Sequence, residues 1–334
     1  MMRAVRRLVG RHETMILLVI VLLSMAIGVA NPAFYSWRNA FDLLKTSVPL
    51  GILTIGLLVV LISGGIDISF PSIAAACMYI TCTLAIDVRS MDHLALLFAL
   101  SIAIGLILGL LNAALIHFFR LPALIVTLGT ASVIRGALLE LVGTRTITNL
   151  PSSIIAFSRT NLFEATLATG ESAALTVSIL FLAGVAIAVA LALRYTVMGR
   201  GTYAVGADLT AAERVGFNIR RIHFFVYGLM GALAGLVGII HASIIRNANP
   251  RDLDGLELTV IAAAVIGGAS ITGGRGTVTG ALLGVALMVL MNGSLVLVGL
   301  PSQWHQVFIG LVVLVSTSAT ALHTRSARAG EIAR

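Results

Sequence analysis

Ten apolar runs recur along the chain, each near the length a helix needs to cross a bilayer, and they leave room for little besides a bundle of membrane-spanning helices. Hydrocarbon about 30 Å thick takes about 20 helical residues to cross. Inside it every backbone amide must be satisfied within the protein, which selects helices over open strands. The runs lie near 15–30, 46–63, 68–86, 94–119, 122–142, 173–193, 222–243, 256–271, 278–298 and 304–322. The third and eighth each adjoin a Gly-Gly pair, so a re-entrant path at either would change the count. With 58% hydrophobic and only 11% charged residues, a soluble domain with a polar surface is excluded. The longest polar connections, about 143–172 and 194–221, are too short to hold a separate domain, so residues 1–334 are read as one all-α transmembrane domain.

Basic residues orient the chain, because Lys and Arg beside spans are retained on the cytoplasmic side. An inside N-terminus puts fourteen of them in the cytoplasm: Arg3, Arg6, Arg7, Arg11, Arg120, Arg194, Arg200, Arg214, Arg220, Arg221, Arg275, Arg325, Arg328 and Arg334. Seven fall outside, namely Arg38, Lys45, Arg89, Arg145, Arg159, Arg246 and Arg251, while Arg135 lies within a span. Both termini and the 194–221 connection are therefore expected to be cytoplasmic, with 143–172 outside. The net charge of +8 is dispersed over loops and reads as an orientation signal, not as a nucleic-acid surface. The first apolar run is long for a signal-peptide core and is taken as an uncleaved span. Cys77 and Cys82 share the third span, where each serves as a small buried apolar group, and no disulfide framework is indicated.

The segment from 199 to 222, GRGTYAVGADLTAAERVGFNIRRI, is polar and Arg-rich in a chain otherwise made of spans. Thr210 and Glu213 have capping-box spacing, Asp208 is a second candidate N-cap, and Gly216 is suited to stop a helix in the left-handed conformation. A helix of about two turns is predicted between Asp208 and Val215. Its small central residues, Ala211 and Ala212, would let another protein approach closely, with Glu213 and Arg214 supplying charge at the edges. The alternative is an ordinary solvated loop. The outer connection, with Pro151, Glu164 and Glu171, either meets an external partner or simply joins two helices.

Small residues mark helix contacts in lipid, where no hydrophobic exclusion drives association. Gly105 and Gly109, Gly231 and Gly235, and Gly276, Gly280 and Gly284 each recur every four residues along one helix face and are read as packing positions. Two Gly-Gly interruptions, SGGIDIS at 63–69 and IGGASITGGRG at 266–276, are read either as broken helices facing a pathway or as an internal repeat, though their positions do not correspond cleanly between the halves.

No catalytic chemistry is encoded. The seven His residues form no HExxH, there is no GxSxG, and GGASITGGRGT lacks the Lys and the spacing of a P-loop. No metal site and no cofactor of its own is expected, so any ATP must be bound by another chain. Ionisable groups cost about 2.5–3.5 kcal/mol at a helix centre, and each needs a reason to be there. Asp67 sits at the first Gly-Gly break, where backbone amides can satisfy it. Arg135 and Glu140 are five apart, which points each to partners on other helices, and locking helices together is the expected role of all three. This scarcity argues against an ion-coupled carrier. His117, His241 and His305 at span ends are read as structural. A neutral solute would be handled by hydroxyls and amides, and Asn112, Thr127, Thr130, Ser132, Asn292 and Gln303 are the candidates, with Asp67 beside them.

Taken together, four segments resemble the ribose and xylose type of bacterial ABC importer permease, within the larger group that includes branched-chain amino acid permeases. ISGGIDISFPSIAA at 62–75 is similar to the family's GGIDLSVGS element and LPALIVTLGTASVIRG at 121–136 to its IPAFIVTLGT element; the 199–222 segment resembles its cytoplasmic coupling loop. NPRDLDGLELTVIAAAVIGGASITGGRGTVTGALLGV at 249–285 is the longest and most specific match, continuing through Met291–Gly293 and 301–314. Phe70 and Pro71 depart from the usual Val-Gly, and Pro71 is expected to bend or restart the third helix. Asp208 and Phe217 stand where Asn and Ile are frequent.

The resemblance implies a type II importer permease fold of about ten helices in the bacterial inner membrane. It implies a second permease chain, cytoplasmic ATPase subunits that carry the ATP and Mg, and a periplasmic solute-binding protein. It further implies alternating access worked through Gly206, Asp208, Thr210, Ala211, Ala212, Glu213, Arg214 and Gly216. A monosaccharide or polyol is the expected solute; branched-chain amino acids or nucleosides on the same fold, or an ion-coupled carrier, are the alternatives.

Overall fold

A computed structural model describes residues 12–166 and 172–297, together with Val307, Gly310 and Leu311. The helices are α1 (His12–Ala30), α2 (Trp37–Ile62), α3 (Phe70–Asp87), α4 (Leu94–Phe119), α5 (Ala123–Val142), α6 (Ser152–Arg159), α7 (Ile179–Tyr195), α8 (Val197–Ala207), α9 (Leu209–Arg214), α10 (Ile219–Ile245), α11 (Leu256–Ile266) and α12 (Val278–Leu297). An antiparallel hairpin of β1 (Asn161–Thr166) and β2 (Ser172–Thr176) stands between α6 and α7. Among the described residues six helices are long and apolar enough to cross a membrane; α7 and α8, bent by 74° to one another, reach that length only when counted together as one span. The predicted eighth span is helical only as far as Ile266, where α11 ends, and the ninth is the shorter apolar helix α12. The tenth, with Gln303 and His305, lies outside the described residues.

α2 and α10 form the centre. From Val48 to Ile62 every residue of α2 is buried, whereas α1 leaves Leu18, Leu22, Met25 and Val29 exposed, the pattern of a peripheral helix turned to lipid. The glycine stripes pack as read except at Gly276, which precedes α12 in the connection at φ +153° and so is not on its face. A Cβ on Gly105 would strike the Gly231 carbonyl and one on Gly235 the Ser101 carbonyl, so α4 and α10 touch backbone to backbone. Ser101 Oγ donates to Gly235 O at 2.6 Å across the same seam. Gly280 and Gly284 meet Gly267 and Ala263 in the same way, joining α12 to α11. Cys77 and Cys82 are buried free thiols.

Connections predicted to share a side of the membrane meet one another. At one end Thr277 Oγ1 and Thr279 Oγ1 donate to Glu13 Oε1 at 2.7 and 2.9 Å. At the other, Ile147 bridges to Ala248, Phe41 and Phe163 pack edge to face, and Arg135 pairs with Asp254 and Glu257 at 3.2 Å each. Arg135 thus locks α5 to the start of α11, the interhelical partnership expected of it, while Glu140 is exposed. There too Ser152 N and Oγ donate to Asp92 Oδ2 at 2.8 and 2.7 Å, and Ser153 N donates to Asp92 Oδ1 at 3.1 Å. Asp92 therefore satisfies the open amides of α6 from a distant loop.

Candidate coupling and translocation site

The polar stretch after α7 is mostly helical. Thr196 interrupts α7 and caps α8, accepting from Gly199 N at 3.0 Å, and the chain turns sharply there. Asp208 then caps α9, its Oδ1 accepting from Ala211 N at 2.9 Å, so the capping box of Thr210 and Glu213 is displaced by the alternative cap two residues earlier. Gly216, at φ +94°, closes α9: its N–H donates to Glu213 O at 3.0 Å and Phe217 N to Ala212 O at 3.1 Å, the paired bonds of a Schellman stop. The predicted handle is present but shorter, at six residues. Ala212 is buried beneath it, while Leu209, Thr210, Ala211, Glu213, Arg214 and Val215 are exposed. Of the two alanines expected to admit a partner, only Ala211 is exposed.

Behind the handle, three glycine segments converge. A Cβ on Gly206 would collide with the Ile62 carbonyl and press on Gly274 N; one on Gly273 would collide with Gly206 O and approach Gly64 Cα. Gly274 N donates to Ile62 O at 2.9 Å, and Tyr203 Oη donates to Gly276 O at 2.8 Å. The end of α8 is therefore wedged between the α2–α3 break and the α11–α12 connection with no side-chain padding.

The α2–α3 break leads to the buried polar cluster. Asp67 Oδ1 accepts from Ser69 N at 2.7 Å and Ser69 Oγ at 2.6 Å, and Asn112 Nδ2 donates to Ser69 Oγ at 2.8 Å. Thr127 Oγ1 donates to Ile66 O at 3.3 Å. Asp67, Ser69, Ser72, Asn112 and Thr127 are all buried. The carboxylate stands at the N-terminus of α3, where helix amides and the dipole favour it. α3 restarts at Phe70 with Pro71 in its first turn, where an N–H is not needed, which is the restart expected of it. No donor among the described residues reaches Asp67 Oδ2, Asn112 Oδ1 or Ser72 Oγ. Asp67, Asn112 and Thr127 are thus brought together. Thr130 is half-buried one turn on and donates to Thr127 O at 3.2 Å, Ser132 is exposed and bonds its own helix at Leu128 O, and Asn292 lies apart on α12, next to Gly293, which faces Leu43. Ser69 was missed by sequence reading; its place two residues after a buried Asp at a helix start was the available signal.

A family model described as a branched-chain amino acid transport system permease component matches residues 39–317, spanning α2 through α12 and with them both breaks and the handle. The chain belongs to this permease family. The permease is also similar to the autoinducer 2 import system permease protein LsrC of Yersinia enterocolitica, 33% identical over 91% of this chain and 81% of that one. It is similar to the proteins of that name from Yersinia pseudotuberculosis (33% identical) and Yersinia pestis (32%), in each case over 91% of this chain and 83% of the relative. No solved structure matches the chain.

Proposed function

We propose that this permease is the membrane-spanning subunit of an ATP-driven importer in a bacterial inner membrane, carrying a monosaccharide or related polyol by alternating access. The observation that carries the reading is α9, a capped helix whose surface residues are exposed while its root at Gly206 presses on both broken helices. A cytoplasmic ATPase subunit would grip Ala211, Glu213 and Arg214 from outside, with Asp208 and Gly216 fixing the helix ends and Thr210 on its surface. ATP and Mg belong to that subunit. A second permease chain and a periplasmic solute-binding protein complete the assembly, and both termini lie in the cytoplasm.

In this reading Asp67, Asn112 and Thr127 line the pathway, with Thr130, Ser132 and Asn292 further along it. The relatives' names supply an imported solute as a guide, and the residues support a neutral, hydroxyl-rich one. None of the six pathway residues is cationic, so a free amino acid would find no partner for its carboxylate. Branched-chain amino acid import, favoured by the family description, is the second reading.

The test is uptake by the purified assembly in proteoliposomes, with labelled pentose, leucine and nucleoside compared. ATP-dependent sugar uptake is expected. Ala211→Trp should abolish it while leaving the permease folded in detergent, because the added ring projects toward the docking partner and not into the core. Accumulation with ATP depleted and an ion gradient intact would overturn the assignment.

A further inference from the structure

A cavity of about 300 Å³ opens at the end of the molecule opposite the handle. Arg38, Asp42 and Lys45 line it from the first turns of α2, Arg159 from the end of α6, Thr176 from β2 and Arg246 from the C-cap of α10. Three helices and a hairpin thus bring four cations and a single carboxylate to one small space. Like charges gathered around one cavity repel, and an anion among them relieves that repulsion. No carboxylate among the described residues forms an ion pair with Lys45, Arg159 or Arg246.

The surroundings fix the depth. Tyr35 and Trp37, beside Arg38, are 65% and 62% exposed, and Leu162, Phe163 and Leu180 are exposed nearby in the hairpin and at the start of α7. Exposed aromatic rings next to apolar side chains and clustered Arg are the pattern of a membrane–water interface, where ring and headgroup share a level.

We propose that this cavity is a phosphate-binding site at the outer membrane interface, seating the headgroup phosphodiester of a phospholipid. Arg guanidinium groups match phosphate oxygens in fork geometry, and the half-buried Lys45 supplies a point charge from the cavity wall. A bound headgroup would tie α6 and α2 to α10 and offset the repulsion among Lys45, Arg159 and Arg246.

The full chain, purified in a neutral detergent, is titrated with phosphatidylglycerol and, separately, with inorganic phosphate, and occupancy is read by native mass spectrometry. One phosphatidylglycerol per chain is expected, weakened about fivefold for each cation removed in Arg159→Gln and in Arg246→Asn. Arg159→Lys should restore most of the binding, which separates charge from folding, and Arg145→Gln, at the same end but outside the cavity, should bind as wild type. Binding of inorganic phosphate alone, lost in the same variants, would keep the phosphate site and assign it to a free anion. No binding of either probe, or binding unchanged when Arg159 and Arg246 are both neutralised, overturns the proposal.

Discussion

The two helix interruptions start alike and then diverge. α2 ends with Gly64 at φ +80°, Gly64 N donating to Leu61 O at 2.9 Å and Gly65 N to Val60 O at 3.2 Å. α11 ends with Gly268 at φ +91°, Gly268 N donating to Val265 O at 2.9 Å and Ala269 N to Ala264 O at 3.0 Å. Both are Schellman stops. Beyond them the first break is held by a side chain, the Asp67 carboxylate on Ser69. The second is held mostly by backbone, with Ser270 N donating to Arg275 O at 3.0 Å and with Gly273, Gly274 and Gly276 all at positive φ, its side-chain bonds being hydroxyl ones, Ser270 Oγ with Thr272 Oγ1 at 2.9 Å and Tyr203 Oη to Gly276 O at 2.8 Å. One interruption is specified by polarity and the other by the absence of Cβ atoms, and Gly206 touches both. Motion of α8 therefore reaches an element held by a carboxylate and one held mostly by close backbone packing at the same time.

The largest effect should come from their common point. Gly206→Val places a branched side chain on the Ile62 carbonyl and Gly274 N, and overpacking at that seam costs about 1–3 kcal/mol. Uptake should be lost while ATP hydrolysis by the partner continues, measured as both rates in proteoliposomes. Wild-type uptake by this variant would mean that the two breaks do not share a lever. Next is Asp67→Ala, which leaves Ser69 N and Oγ buried without an acceptor, at about 1–3 kcal/mol. Asp67→Asn keeps an acceptor and should lose less. Melting temperatures in detergent rank the two, and equal losses would show that the carboxylate is not what holds the first break.

Much of this was legible because it is local. Apolar runs located the spans, Asp208 and Gly216 bracketed the handle, and four-residue glycine spacing marked the α4–α10 and α11–α12 seams. α8 was not read as a helix, since Gly199, Gly201 and Gly206 lower its intrinsic propensity by about 1 kcal/mol each. The structure shows the compensation: Gly199 lies against Leu193 backbone and Gly201 against Phe217 and Ile222. The hairpin escaped notice because its strands are five and six residues long inside a connection between spans. The meeting of Gly64, Gly206 and Gly273 is tertiary, and glycines so far apart carry no periodic signal.

The smallest predicted effect lies at the far end and sharpens the contrast between the half-buried carboxylate of Asp92 and the fully buried one of Asp67. Partial burial alone would raise the Asp92 carboxyl, but the hydrogen bonds from Ser153 and Ser152 outweigh it and hold the group down to about 2. A carboxylate depressed in the folded state stabilises that state above its unfolded value of about 3.9, and the contribution fades as pH falls toward 2. The tie between the α3–α4 loop and α6 should therefore be complete at neutral pH and still largely intact near pH 4. Asp92→Ala removes it at every pH, at about 1 kcal/mol, the ordinary worth of a helix cap. Proteolytic nicking within 143–172, compared at pH 7 and pH 4, reads this directly: the wild type should resist at both, and the variant should be cut faster at both. A wild-type protein already as susceptible at pH 4 as the variant would place the titration higher and show that the α6 amides do not hold Asp92.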